Sequence, residues 1–305
     1  MSQHTQLSEP DPEFSAQLSR LLQTSSADLD IQAVREFFSQ DVRRRNEANF
    51  GHRLPPENAY RARDYRAAVQ GGEIAVRSYT PVVEGDEATF PLFYWIHGGG
   101  KQRNVGWQIG NLETDDDFLR ILCAQFRIVI VNVNYRLVPE HKWPTNLNDA
   151  YAGLLWARFY ASRLAASLSK GFIVGGMSSG ANMAAVIAHR ARDDPVLSSS
   201  PLTGQMLGIP LVVHPDAYPE KFRDKLLSLE ENKDAPILSK QGLWKWYRDY
   251  CINPTEPEIS PLLYASHKGL PPTYIQVCGG DPLRDEGILY EQVLRKDGVR
   301  TKIDM

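Results

Sequence analysis

Apolar positions in the first 50 residues recur at helical spacing, with Phe14, Leu18, Leu21 and Leu22 in one stripe and Val34, Phe37 and Phe38 in another. Pro55 and Pro56 end that pattern. From Arg63 the period shortens to two. Residues 65–69 and 74–79 read as strands joined by Gly71 and Gly72, an antiparallel hairpin. Short apolar runs follow at 91–96, 127–134, 171–174, 206–213 and 273–278, the mark of strands buried on both faces. Helical segments at 116–126, 146–168 and 181–193 lie between them. This alternation predicts an α/β fold, a mostly parallel sheet flanked by helices. Residues 218–252 interrupt it, with Leu243, Trp246, Tyr247 and Tyr250 on one helical face. The expectation is a single domain over 1–305, with a helical cap contributed by about 1–55 and 215–255.

Composition narrows the class. The 305 residues are 42% hydrophobic and 23% charged, with a formal net charge of −3. A near-neutral chain with no long basic block gives no reason to expect nucleic acid as a partner. No apolar run is long enough for a membrane span, and the polar start lacks the regions of a secretory signal. Cys123, Cys251 and Cys278 are scattered and odd in number, which indicates neither a disulfide framework nor a zinc site and points to the cytoplasm. Arg43, Arg44 and Arg45 read as a solvated helix face. Oligomeric state is not legible.

The chemistry concentrates after predicted strands. The run Phe172, Ile173 and Val174 ends in Gly175 and Gly176, followed by Met177, Ser178, Ser179 and Gly180 and then an alanine-rich helix. G-x-S-x-G between strand and helix holds a serine in a strained, exposed elbow, where a side chain at either glycine would collide with its neighbours. His97, Gly98, Gly99 and Gly100 follow another strand, and Asp281 a third. A serine nucleophile needs a base, an oxyanion needs N–H donors that a glycine run can bring close, and a carboxylate must orient the base.

These residues resemble the hormone-sensitive-lipase-like carboxylesterases of the α/β-hydrolase superfamily. The resemblance runs from about residue 72 onward through four motifs in register. They are His97–Gly100; 134–141 with Trp143, Pro144, Asp149 and Tyr151; Gly176–Gly180; and 281–287, which opens with Asp281, Pro282, Leu283, Arg284 and Asp285. It implies the α/β-hydrolase fold and a serine esterase acting on short-chain or aryl carboxylic esters. Ser178 would be the nucleophile and Asp281 the acid, with Asp285 the second choice. The oxyanion loop would be Gly98, Gly99 and Gly100, with the Ser179 N–H completing the hole. A small-molecule ester is the implied partner, and no cofactor or metal is required.

Neighbouring residues have plainer readings. His97 is expected to hold its loop, Glu140 and His141 to brace theirs, and Arg284 and Asp285 to form a surface or supporting pair. The aromatic residues from Trp244 to Tyr250 are expected to be cap core. Asp115, Asp116 and Asp117 fit as N-terminal charge on a helix dipole.

Two features depart from the family. Its triad runs serine, acid, histidine, yet His4, His52, His97, His141, His189, His214 and His267 all precede Asp281. Residues 299–305 read as the opening of a strand, with Val299, Thr301, Ile303 and Met305 on one face. The expectation is a chain that stops short of its general base, inactive or crippled in this form, with an apolar sheet edge left uncovered. The second departure is the polar stretch 101–106, which intervenes before Trp107 beside the oxyanion loop. A ligand-binding member without turnover is the alternative, since plant gibberellin receptors resemble this family and lack the histidine.

Overall fold

The computed structural model describes residues 3–21, 30–83, 88–99, 106–250 and 253–305. Leu22, Gly100, residues 101–105 and Cys251 lie outside them, as do the side chains of Leu18, Leu21 and Arg45. Eight strands are β1 (Tyr60–Val69), β2 (Gly72–Pro81), β3 (Leu92–Ile96), β4 (Val129–Asn134), β5 (Phe172–Met177), β6 (Gly204–Gly208), β7 (Thr273–Gln276) and β8 (Thr301–Asp304). The helices are α1 (Pro12–Leu21), α2 (Ile31–Phe50), α3 (Asp116–Phe126), α4 (Thr145–Phe159), α5 (Ser179–Asp193), α6 (Ser228–Glu231), α7 (Lys240–Tyr250) and α8 (Arg284–Lys296).

One sheet carries every strand in the order β1-β2-β4-β3-β5-β6-β7-β8. β1 pairs antiparallel with β2, and β2 with β4; all other pairs are parallel. The protein therefore has the α/β-hydrolase architecture, with the carboxyl ends of β3 and β5–β8 along one edge. β3 is buried throughout and divides its side chains by parity. Leu92, Tyr94 and Ile96 join the larger core cluster, Phe93 and Trp95 the smaller one. Burial on both faces is why this strand lacks polar alternation.

The larger cluster includes residues of α4, α5 and α8, such as Leu154, Ile187 and Leu289; α3 packs Leu119 and Cys123 on the other face. Beyond α3 that second face forms an open apolar groove of about 530 Å³, walled by Phe93, Phe126, Ile173 and Met206. The groove runs on to Thr301 and Lys302 of β8, the edge strand among the described residues, where Lys302 and Asp304 are exposed. Met305 is exposed and does not continue the strand's inner face.

Three elements differ from expectation. The apolar run at 206–213 is strand only to Gly208; Leu211, Val212 and Val213 are fully buried in a loop. The segment expected as one helix to 168 ends at Phe159 and continues as a short 3₁₀ turn, Ala161–Leu164. In α2 the stripe is Val34, Phe38 and Val42, packed on Ile109, with Phe37 only half-buried; in α1 Phe14 is exposed. Arg43 and Arg44 are solvated, as expected.

Candidate active site

Ser178 stands between β5 and α5 with φ 53° and ψ −116°, a backbone conformation that costs a side-chain-bearing residue energy. Its N–H donates to Gly208 O at 2.8 Å, and its carbonyl accepts the N–H of Asn182 at 3.0 Å, starting α5. The flanking glycines are needed for space. A β-carbon on Gly176 would sit 2.5 Å from the Gly180 carbonyl carbon, and one on Gly180 only 2.1 Å from Ile96 O. The elbow is therefore pressed directly onto the end of β3 and the loop that leaves it.

That loop is braced from behind. His97 is fully buried and stacks on Tyr135 at 4.4 Å, while Tyr135 OH donates to His97 O at 3.0 Å. Burial pushes the His97 pKa down to about 4, so the ring is neutral at pH 7 and its Nδ1, 3.0 Å from Gly98 O, serves as a donor there. Gly110, with φ +108°, lies so close to the ring that a β-carbon would fall 2.4 Å from Nδ1. His97 is thus a structural brace, as expected. Gly98 abuts the Met177 carbonyl and Gly99 the Gly106 carbonyl, at 2.6 and 1.6 Å from an added β-carbon. Among the described residues no backbone acceptor takes the N–H of Gly98 or Gly99. The structure thus brings Gly98, Gly99, Ser178 and Ser179 together, with Gly100 outside the described residues.

Asp281 lies beyond β7, two strands from the elbow along the same edge. Its Oδ1 accepts the N–H of Leu283 at 2.8 Å. Part of the residue reaches solvent, yet the carboxyl is enclosed by protein, and burial pushes its pKa up to about 6 against that hydrogen bond. Asp285 is occupied differently. Its Oδ2 accepts from Leu227 N and Ser228 N at 3.0 and 2.8 Å, and Oδ1 pairs with Arg284 at 2.9 Å. Both members of that pair are buried, so of the surface and supporting readings it is the supporting one that holds. Arg284 also reaches Glu231 at 2.8 Å and Ser8 Oγ at 2.6 Å.

Sequence reasoning missed Glu286, the next residue. Its Oε2 accepts from Val212 N and Val213 N, Tyr218 OH donates to its Oε1, and burial pushes its pKa up to about 8. Nothing local distinguishes it from an exposed helix carboxylate, because its partners lie about 70 residues away.

Other expectations resolve simply. Glu140 is gripped by Arg35 at 2.7 Å and tied to Gln32, so it braces its loop to α2; His141 is exposed. Asp116 and Asp117 sit in the first turn of α3, but Asp116 also receives Tyr79 OH, Arg77 and Arg120. Asp115 accepts from Trp95 Nε1 at 2.8 Å. In α7, Trp246, Tyr247 and Tyr250 are buried, Trp107 stacks on Tyr250 at 3.8 Å, and Gly106 lies beneath Trp246; Trp244 is half-buried against His214. The aromatic residues are packing, as expected. Among the described residues no histidine ring bonds Ser178 or Asp281. His214 Nδ1 accepts Asp216 N, His267 contacts Pro261 O, and His189 stacks on Tyr264.

The family profile described as alpha/beta hydrolase fold matches residues 93–305. The chain belongs to that family. Within it the chain is a member of the hormone-sensitive-lipase-like carboxylesterase group. It is 33% identical to the versiconal hemiacetal acetate esterase of Dothistroma septosporum over 73% of its own length and 66% of the relative's. It is 36% identical to the carboxylic ester hydrolase LipN of Mycobacterium tuberculosis, over 77% and 58% of the two chains. The chain thus spans about two thirds or less of these relatives' lengths. Among solved structures, that of vibralactone cyclase superimposes with a TM-score of 0.92 at 40% identity, covering 98% of this chain and 86% of that one. Among the described residues no helix of this α/β hydrolase is long and apolar enough to cross a membrane.

Proposed function

We propose that this site cleaves carboxylic esters, short-chain or aryl, by acyl transfer to Ser178. The observation that carries the reading is the elbow: a serine held at φ 53° against a glycine loop in which the Gly98 and Gly99 N–H groups have no backbone acceptor among the described residues. Ser178 Oγ attacks the ester carbonyl carbon. The oxyanion falls to the N–H groups of the glycine loop, Gly98, Gly99 and Gly100, and of Ser179, which opens α5. The C–O bond to the alcohol breaks, the alcohol leaves with a proton, and water then releases the acid. Asp281 is the carboxylate that would orient the base. In this reading residues 1–55 and 215–255 form a cap over the site, and the partner is a small-molecule ester.

The relatives' names, an acetate esterase and a carboxylic ester hydrolase, support ester chemistry. The base is the weak point. Among the described residues no histidine ring bonds Ser178 or Asp281, and a site without a base in place is expected to keep only the smaller acceleration from the oxyanion hole and binding. That same observation favours a second reading, a small-molecule-binding member without turnover. Hydrolysis of p-nitrophenyl acetate and butyrate separates them, measured on this chain, on Ser178→Ala, and on a version continued with a relative's histidine-bearing C-terminal segment. Activity lost in Ser178→Ala and raised by the continuation supports the esterase. Activity that survives Ser178→Ala sinks the nucleophile. Tight ligand binding with no gain from continuation supports the binder.

A further inference from the structure

The geometry points to Asn232 as a positioning residue for Asp281, so that seating of the 227–232 segment and placement of the acid are one event; this rests on the reading of Asp281 as the acid. Asn232 follows α6 and is 9% exposed. Its backbone is already fixed, with its N–H on Ser228 O at 2.8 Å and its carbonyl accepting Ala235 N at 3.0 Å. The side-chain amide is therefore aimed rather than free. Its Nδ2 donates to Gly279 O at 3.3 Å and to Asp281 O at 3.1 Å, using both amide hydrogens on the loop that carries the acid.

The loop is also tied through its backbone, the Asp281 N–H donating to Cys278 O at 3.2 Å and the Asp281 carbonyl accepting the Arg284 N–H at 3.1 Å, and Asn232 adds a hold from outside it. An added β-carbon at Gly280 would meet nothing within 4 Å, so the chain there is open on one side. Arg284 and Ser8 also reach Gly279 O, but from the described side chains only Asn232 bonds the Asp281 carbonyl. The 227–232 segment is itself docked on the first turn of α8. Ser228 Oγ donates to Pro282 O at 2.7 Å and accepts Asp285 N at 3.1 Å, while Asp285 takes the Leu227 and Ser228 amides. A shift of this segment, as a ligand enters beneath the proposed cap, would be carried by Asn232 into the Asp281 backbone. Errors of about 1 Å in a catalytic group are costly.

The test compares Asn232→Ala, and Asn232→Leu as a same-sized variant without donors, with Glu230→Ala, which loosens only the exposed Glu230–Lys240 pair on the same segment. Carboxyl ¹³C NMR follows the Asp281 titration, its signal assigned by loss in Asp281→Asn. Burial holds that carboxyl at about 6; a released, hydrated loop lowers it by ~1 unit or more toward an ordinary aspartate. Hydrogen exchange at the Asp281 and Leu283 amides is expected to quicken ~10-fold, with β5 protection unchanged, which also reports folding. Glu230→Ala should move neither. A folded Asn232 variant with wild-type titration and exchange, or an equal change in Glu230→Ala, overturns the inference. Neither readout needs turnover. Hydrolysis independent of Ser178 would therefore defeat the esterase reading without touching this coupling. Ser178-dependent hydrolysis with an unmoved Asp281 would defeat the coupling alone.

Discussion

Alanine at Gly180 perturbs the contact on which the elbow depends. The new methyl would lie 2.1 Å from Ile96 O and 2.7 Å from His97 O, where ordinary contact begins at 3.4 Å. Both obstacles are backbone, so no side chain can swing aside. Either α5 or the end of β3 must retreat by about 1.3 Å. Overpacking of this kind costs about 1–3 kcal/mol, which at roughly 2 °C per kcal/mol for a chain this large lowers Tm by about 2–6 °C. The larger effect is expected at Ser178, because a misplacement near 1 Å between nucleophile and oxyanion donors costs ~100-fold in rate. Thermal unfolding followed by circular dichroism measures the first. Acetyl transfer from p-nitrophenyl acetate measures the second. Gly51→Ala is the control, since its nearest neighbour would be Glu47 Cγ at 3.9 Å and its φ is not positive; its expected effect is within about 1 kcal/mol. A Gly180→Ala protein with wild-type Tm and wild-type acetyl transfer would refute the close packing of elbow on loop.

Three further predictions concern buried charge. Arg284→Ala removes the cation shared by Glu231 and Asp285 and is expected to cost about 3–5 kcal/mol, read as a fall in the denaturation midpoint; an unchanged midpoint would contradict the buried network. Burial pushes the His189 pKa down to about 3, with His267 and Arg192 adding to the shift and Asp193 opposing it. The unfolded chain therefore binds a proton below about 6.5 that the folded one refuses. The wild type should lose stability relative to His189→Phe as pH falls from about 6.5 toward 3, by up to roughly 1.4 kcal/mol per unit; parallel profiles would contradict this. Glu286 runs the other way. Its folded pKa of about 8 lies above the unfolded value, so the folded state keeps a proton that the unfolded state has lost. Stability should fall as pH rises from about 4.3 toward 8 relative to Glu286→Gln, and paired urea titrations across that window check it.

Much of the fold was legible because its signals are local. The α3 segment was read at its observed bounds, and the β5 run, glycines and alanine-rich helix announced the elbow without help from distant residues. The misses share a cause. At 211–213 the apolar run marks burial and reads as extension, but those backbone N–H groups go partly to Glu286 rather than to a neighbouring strand. Spacing leaves Arg284 and Asp285 open between a surface and a supporting pair, because charged helix residues are usually exposed. Their burial is set by Ser8, Leu227, Ser228 and Glu231, which sequence spacing cannot bring near. In the site, residue type and order marked Ser178, the glycine loop and Asp281. The braces, Tyr135 behind His97 and Asn232 on the Asp281 loop, carry no signal of their own in sequence.

The central claim, proposed from the elbow, is that Ser178 Oγ is the atom that takes the acyl group. The direct measurement is intact-mass and peptide mass spectrometry of the chain after incubation with p-nitrophenyl acetate. Because no described histidine ring bonds Ser178, water is expected to attack the acyl-enzyme slowly, so the acyl-enzyme should accumulate. The predicted result is one acetyl group per chain, on the peptide bearing Ser178, and none on that peptide in Ser178→Ala. No acetyl on Ser178, or p-nitrophenol release that Ser178→Ala leaves unchanged, would contradict the account.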